Sequence, residues 1–294
     1  MRPKISSIVG GERREMLSMP WEEYKDYPAL NASTIVTACV DGDAISMLAL
    51  KDSWDNGSED SEAKQFGRLL HCVLFEPGDV LNRYRTWEGT RTGNEYKELL
   101  AEAKAAGAEV VKATEGKYPM SSAIAATHNF LADARVRAAI EAGEAEKMIL
   151  TTECGLQCKC RLDWISQSAN ELWDLKSTRT MNRRLFGRDF FGFHYGIKLG
   201  LYQRWLQRAT GKEWPVMVAM VQNTRPYDYA TVPIPAAVLE TGVEMGLRII
   251  KQVAESIKAD KWPGVAKGEL YPLHVPGYVM DDEELPDTLR SDNA

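Results

Sequence analysis

The chain of 294 residues lacks what a membrane or an oxidising compartment would demand. No run of 18 apolar residues occurs, so no segment reads as a membrane-spanning helix. Met1-Arg2-Pro3-Lys4-Ile5 opens without the apolar region of a signal peptide. A soluble, cytoplasmic protein with no membrane partner is therefore expected. Cysteines number only five, an odd count that fits a reducing environment better than a disulfide framework. Cys154, Cys158 and Cys160 give C-x3-C-x-C, but C-x2-C is missing and Cys158 and Cys160 fall on one strand face. Buried thiols are expected rather than a zinc or iron–sulfur site. Neither a helix-turn-helix nor a zinc-finger pattern is present, and no internal repeat is visible. Positive charge is not in excess either, the net charge being −6.

What is present describes an ordinary globular protein, 44% apolar and 27% charged, with material for a sizeable core. The charge is unevenly spread. Between Lys176 and Lys212 nine basic residues (Lys176, Arg179, Arg183, Arg184, Arg188, Lys198, Arg204, Arg208, Lys212) face one acid, Asp189. A basic helical surface is often only solvated, but a local excess of this size also suits a groove that tracks phosphates.

The basic stretch begins where the most informative residues end. Cys158-Lys159-Cys160-Arg161-Leu162-Asp163-Trp164-Ile165 and Glu171-Leu172-Trp173-Asp174-Leu175-Lys176 are apolar-alternating runs joined by polar residues 166–170, which predicts a β-hairpin. Alternation puts Asp174 and Lys176 on one face, with Trp173 and Leu175 on the other. Asp163 can meet the first pair across the ladder. Two carboxylates and an ammonium at one sheet edge suit metal-assisted phosphodiester hydrolysis. Mg²⁺ takes carboxylate oxygens and keeps waters, and a lysine can orient water or offset charge on phosphorus. The spacing resembles the PD-(D/E)xK nuclease signature, with Leu162 in place of proline. Asp-x-Lys on a strand is otherwise a common solvated face.

Around this hairpin the pattern predicts alternating helices and strands. Residues 1–28 read as an arm of low regularity, and residues 31–50 as one or two helices capped at Asn31. Ser61 to Glu76 predicts a helix with Phe66, Leu69, Leu70, Val73 and Leu74 on one stripe, stopped by Pro77-Gly78. His71 borders that stripe and, on this ground alone, reads as a satisfied core histidine before a ligand. Residues 82–120 are polar, with a helix near 95–106, and are expected to form a lid or a substrate-facing excursion. A helix from Ser121 to Ile140 precedes a strand from Glu144 to Glu153. Glu146 at its entrance is either a solvated charge or a site carboxylate. A long helix is expected from Asp189 to Thr210, placing His194, Lys198 and Tyr202 on one face. Strands at 216–222 and 227–234 and a helix from Pro235 to Lys258 complete the order. Residues 29–275 are expected to form one α/β domain with a mixed central sheet flanked by helices and an N-terminal helical elaboration. Residues 276–294 form an acidic tail.

Taken together, Phe66-Gly67-Arg68-Leu69-Leu70-His71 with Phe75-Glu76-Pro77, Cys158 to Asp163, Trp173 to Thr178, and Tyr195-Gly-Ile-Lys198-Leu-Gly-Leu-Tyr202 resemble the exodeoxyribonuclease VIII (RecE-type) nuclease domain, over roughly residues 30–275. Its relatives include phage-encoded PD-(D/E)xK exonucleases. The resemblance implies a restriction-endonuclease-like core and a Mg²⁺-dependent 5′→3′ exonuclease on linear double-stranded DNA, with Mn²⁺ able to substitute. It implies a 3′ single strand passed to a RecT-type annealing partner, and a closed homo-oligomeric ring around DNA. It assigns His71, Asp163, Asp174 and the Leu175 backbone carbonyl to metal, with Glu146 as a further candidate, and Lys176 to catalysis. Lys198, where the family carries glutamine, joins the catalytic set. Arg161, Arg179, Arg183, Arg184, Arg188, Lys198 and Tyr202 are the expected DNA contacts, and Arg85, Arg91 and Arg161 could grip a 5′ end. A structure-selective or restriction-type endonuclease, or an inactive DNA-binding scaffold, remains an alternative on the same residues.

Overall fold

A seven-stranded mixed sheet divides the protein into two helical layers. The computed structural model describes residues 3–42, 44–57 and 60–270. Strand β1 (Arg14–Ser18) and helix α1 (Trp21–Asp26) precede β2 (Leu30–Asn31), α2 (Ala32–Ile35), a small hairpin of β3 (Cys39–Asp41) and β4 (Ala44–Ile45), and helices α3 (Met47–Asn56) and α4 (Glu62–Phe75). An excursion follows, made of α5 (Val80–Arg83), β5 (Tyr84–Trp87), α6 (Asn94–Ala105) and β6 (Glu109–Lys112). Helices α7 (Met120–Ala132) and α8 (Ala134–Glu141) lead into β7 (Gly143–Glu153), β8 (Leu156–Ser166) and β9 (Glu171–Thr178). Then come α9 (Arg183–Gly192), α10 (Tyr195–Thr210), β10 (Val216–Gln222), β11 (Tyr229–Pro233) and α11 (Ala236–Ala259).

The sheet order is β1-β7-β8-β9-β10-β11, with β2 pairing to β8. Strands β7, β8 and β9 form an antiparallel meander, whereas β10 lies parallel to β9. Parallel neighbours need a crossover, which α9 and α10 supply. One face packs against α2, α3, α10 and α11 through a core that includes Cys160, Leu162, Leu172, Leu199, Trp205 and Ile250. The other face packs against α4, α7 and α8 through Phe66, Leu70, Phe130, Trp164, Trp173 and Leu175.

Helix α4 forms as its stripe predicts. The Ser61 hydroxyl caps it by accepting from the Lys64 N–H, and Phe66, Leu69, Leu70 and Leu74 are buried. Helices α10 and α11 come unusually close. A Cβ at Gly242 would overlap the Gly196 carbonyl, and one at Gly200 would overlap that of Leu239. Only glycine lets the two backbones approach so nearly, and this fixes where α10 presents Lys198.

Several elements differ from the sequence expectation. Residues 14–18 are an edge strand, Arg14 to Ser18 pairing antiparallel with Thr151 to Lys147, not part of a loose arm. Its side chains are almost all exposed, so no alternation marked it. Lys159, almost fully buried, ties the following helix down by donating to the carbonyls of Tyr24, Lys25 and Tyr27. The predicted helix over 121–140 is two, because Asp133 leaves helical geometry and its side chain caps Arg135 and Val136. The predicted helix over 189–210 also breaks, at His194, whose backbone is left-handed at φ 53°. Residues 82–120 contain the parallel pair β5–β6, tied to α4 by Arg68, which bonds both Asp60 and Glu109. Residues 276–294 lie outside the described residues. Among the described residues no helix is long and apolar enough to cross a membrane.

Candidate active site

The strand register lines up three carboxylates. Ala145 opposes Trp164 and Lys147 opposes Leu162, which sets Glu146 level with Asp163. Trp164 opposes Trp173, which sets Asp163 level with Asp174 on the next strand. At this row the ladders give way. Neither Glu146 nor Asp163 has a paired partner across β7–β8, and the β8–β9 pairing runs only from Ser166 to Trp164. A backbone donor exposed where strands part must find another acceptor. The Leu175 N–H finds it in Asp163 Oδ2, at 2.8 Å.

Side-chain alternation also slips here. Cys158, Cys160 and Leu162 point into the α10–α11 core, yet Trp164, of the same parity, enters the opposite core. Glu146, facing the slip, has φ 58°, a left-handed value uncommon outside glycine. The twist turns Glu146 and Asp163 together toward α4. There His71 Nε2 lies 2.9 Å from Glu146 Oε1 and 3.4 Å from Asp163 Oδ1. Phe75 sits edge-on to His71 at 4.8 Å and stacks on Trp164, holding the imidazole in place.

Asp174 is the most enclosed of the three carboxylates, its side chain 1% exposed. Lys176 Nζ bonds its Oδ2, and Lys198 Nζ approaches its Oδ1 at 3.6 Å. Oδ1 itself has no hydrogen-bond partner. A buried, unpaired carboxylate oxygen is costly unless something else satisfies it. Lys176 Nζ also lies 3.4 Å from the Leu175 carbonyl oxygen and 4.8 Å from the Tyr195 ring centre, and Lys198 Nζ lies 5.1 Å from that of Tyr202.

The electrostatics follow from burial and proximity. Burial works against the His71 imidazolium, but Asp163 and Glu146 outweigh it and push its pKa up to about 10. Burial would raise the Asp163 carboxyl, yet His71, Lys176 and Lys198 hold it well below the usual carboxylate range. Lys176 is lowered by burial, opposed by Asp174 and reinforced by the Lys198 charge.

The donor set fits a divalent cation. The orphaned Asp174 Oδ1, the Asp163 and Glu146 carboxylates and one imidazole nitrogen are the hard oxygen and nitrogen ligands such an ion takes. Among the described residues, the tight cluster is His71, Glu76 and Glu146, one ligand atom of each lying within 4.8 Å of the others, and it does not include Asp163 or Asp174. Glu76 was not among the residues expected from sequence. It sits just past the end of α4, before the Pro77 stop, where the chain turns its carboxylate back toward the histidine. The five cysteines are free, and Cys158 and Cys160 are fully buried with thiol pKa values raised by that burial, as a packing role requires.

The expected DNA contacts divide into two groups. Arg179, Arg183, Arg184 and Arg188 are exposed. Arg161 is instead drawn into the cluster. Its guanidinium contacts Glu146, lies 3.6 Å from Glu76 and is covered by the Trp21 ring at 5.3 Å. Tyr202 is 5% exposed and packs in the core, and Lys198 points at Asp174. His194 forms the bend before α10 rather than a helical face shared with Lys198. Arg85 donates to the Leu81 carbonyl and Arg91 lies 3.6 Å from Glu62, both within or beside the excursion.

The crystal structure of a "putative exonuclease" from Eubacterium rectale is similar, with a TM-score of 0.58 at 12% identity, covering 90% of this chain and 99% of that one. At this identity the likeness speaks for the fold. No curated protein matches the sequence. Residues 34–269 match the family described as "PDDEXK-like domain of unknown function (DUF3799)", so the chain belongs to that family, and its mixed sheet flanked by helices is the PD-(D/E)xK fold expected from the sequence.

Proposed function

We propose that the protein is a Mg²⁺-dependent deoxyribonuclease that digests linear double-stranded DNA from its 5′ ends, with Mn²⁺ able to replace Mg²⁺. The observation that carries the hydrolytic reading is Asp174, a buried carboxylate with one oxygen on Lys176 and the other without a hydrogen-bond partner, level with Asp163 and Glu146. His71, Glu146, Asp163 and Asp174 would hold the cation, and the Leu175 carbonyl would complete the set. A bound divalent ion supplies charge neutralisation at the scissile phosphate and a more acidic water. Lys176 would orient the attacking water and offset charge on the pentacoordinate phosphorus. Its lowered pKa makes it the easier of the two lysines to deprotonate. The exposed arginines from Arg179 to Arg188 lie on the chain leading away from Lys176 and would track the backbone of the DNA.

Direction, ring assembly and a RecT-type annealing partner come to this proposal from the RecE-type resemblance. In that assembly the basic segment would face a channel and the acidic remainder the outside. Digestion of linear duplex labelled at the 5′ or 3′ end, with and without Mg²⁺, tests the reading, with closed circular DNA alongside and Asp174→Ala as control. Early release of 5′ label with the circle intact is the expected result. Cutting of the circle would favour an endonuclease, and inertness on both substrates with DNA still bound would favour a scaffold. Light scattering of the purified chain tests the ring.

A further inference from the structure

Phe191 and Phe193 are 62% and 60% exposed, although each is part of an aromatic chain that ends at the active site. Phe191 meets Phe190 at 5.4 Å, Phe190 meets Tyr195 at 5.8 Å, and Phe193 meets Tyr195 at 5.7 Å. Tyr195 in turn lies over the ammonium of Lys176. Helix α9 is anchored from its other side by buried Phe186 and Phe190. Its outer stripe is Arg184, Arg188 and Phe191, spaced four and three residues apart and all exposed. The left-handed residue His194 ends this unit, so Phe191 and Phe193 both lie in its last turn, linked to each other through Phe190 and Tyr195. Two large aromatic rings left in water forgo the burial that normally places them inside.

We propose that Phe191 and Phe193 form a stacking platform for unpaired nucleobases at the edge of the active site, with Arg184 and Arg188 taking the adjoining phosphates. This rests on the nuclease reading for the source of the strand. The chemistry points to nucleic acid rather than a second copy of the chain. A two-fold contact would bring arginines against arginines, with Asp189 the lone acid in the segment, and a head-to-tail contact would take the basic stripe out of the channel that the proposed ring gives it. A polyanion that also carries apolar, π-faced rings satisfies both halves of the patch. The platform is continuous with Lys176 through Tyr195, so a strand whose phosphate reaches the carboxylate row has its neighbouring bases beside Phe193.

The test uses the full chain in EDTA, where metal-dependent hydrolysis cannot proceed, and an oligonucleotide carrying 2-aminopurine at an unpaired end. Stacking quenches that base. The wild-type chain is expected to quench it, and Phe191→Ala/Phe193→Ala to lose most of the quenching and to bind at least about tenfold more weakly. Phe191→Leu/Phe193→Leu, which keeps apolar bulk and preserves the fold by circular dichroism, is expected to lose the quenching as well. Quenching unchanged in both variants would overturn the platform. So would a wild-type oligomer that the leucine variant turns into monomers without loss of quenching, since the patch would then be a subunit contact. Cleavage in Mg²⁺ is scored separately. A wild-type chain that quenches but never cuts removes the nuclease reading and keeps the platform, and one that cuts without Phe-dependent quenching does the reverse.

Discussion

Lys198 Nζ stands 3.6 Å from Asp174 Oδ1, the one oxygen of that carboxylate without a hydrogen-bond partner. An ammonium so placed partly neutralises Asp174 and repels a divalent cation approaching it. Two unit charges about 4 Å apart interact by about 4 kcal/mol at an effective dielectric of 20, enough to matter for metal affinity even after solvent screening. Lys198→Gln should therefore tighten Ca²⁺ or Mg²⁺ binding by about tenfold or more, equivalent to about 1.4 kcal/mol. Calorimetry and the Mg²⁺ dependence of cleavage would both report it. Weaker binding in the variant would mean that Lys198 holds Asp174 in position instead of competing for it.

His71 links the same cluster to pH. In the folded, metal-free protein its pKa is raised to about 10 by Asp163 and Glu146 against the cost of burial, whereas an unfolded histidine titrates near about 6.5. The stabilisation is thus fully present below about pH 6.5 and is lost as pH rises through about 10. Chemical denaturation in EDTA should show stability falling across that window, and His71→Gln should flatten the fall. A profile in the variant identical to that of the wild type would mean the imidazole is not held as a cation.

The hairpin and α4 were legible because their signals are local. Alternation and a polar turn placed Asp163, Asp174 and Lys176, and a 3.6-residue stripe ending at Pro77 placed His71. Glu146 was named from its place at the strand entrance, but its approach to His71 depends on a left-handed backbone opposite Asp163, whereas Glu76, a carboxylate turned back past a helix end, carried no local signal. The edge strand β1 buries almost nothing, so it left no pattern to read. The break before α10 falls on a histidine in a conformation that propensity assigns to glycine. Arg161 was expected to contact DNA, whereas in the fold its guanidinium is engaged by Glu146 and Glu76.

The α10–α11 contact carries its own expectation. A methyl group at Gly242 would overlap the Gly196 carbonyl, which is rigid backbone and cannot turn aside. Overpacking of this kind costs about 1–3 kcal/mol, so Gly242→Ala should lower the denaturation midpoint accordingly. Because α10 carries Lys198 and Tyr195, cleavage should fall by more than the unfolded fraction explains, measured at a temperature where the variant is folded. Stability and rate both unchanged would show that the helices can part without disturbing the site.

Lys176 separates chemistry from binding. Its side chain is 12% exposed, bonded to Asp174 and covered by Tyr195, so it offers little surface to a passing phosphate. A group that acts on the water or on charge developing at phosphorus contributes in the transition state and not in the ground state. Lys176→Ala should then lower the single-turnover rate by about 10² or more, while the dissociation constant for duplex ends, measured by anisotropy in Ca²⁺, moves less than about threefold. Removing the ammonium also frees Asp174 Oδ2, so metal binding should hold or improve, and a loss of activity could not be blamed on an empty site. Equal losses in rate and DNA affinity would instead make Lys176 a phosphate anchor and move the proton-handling role to another group.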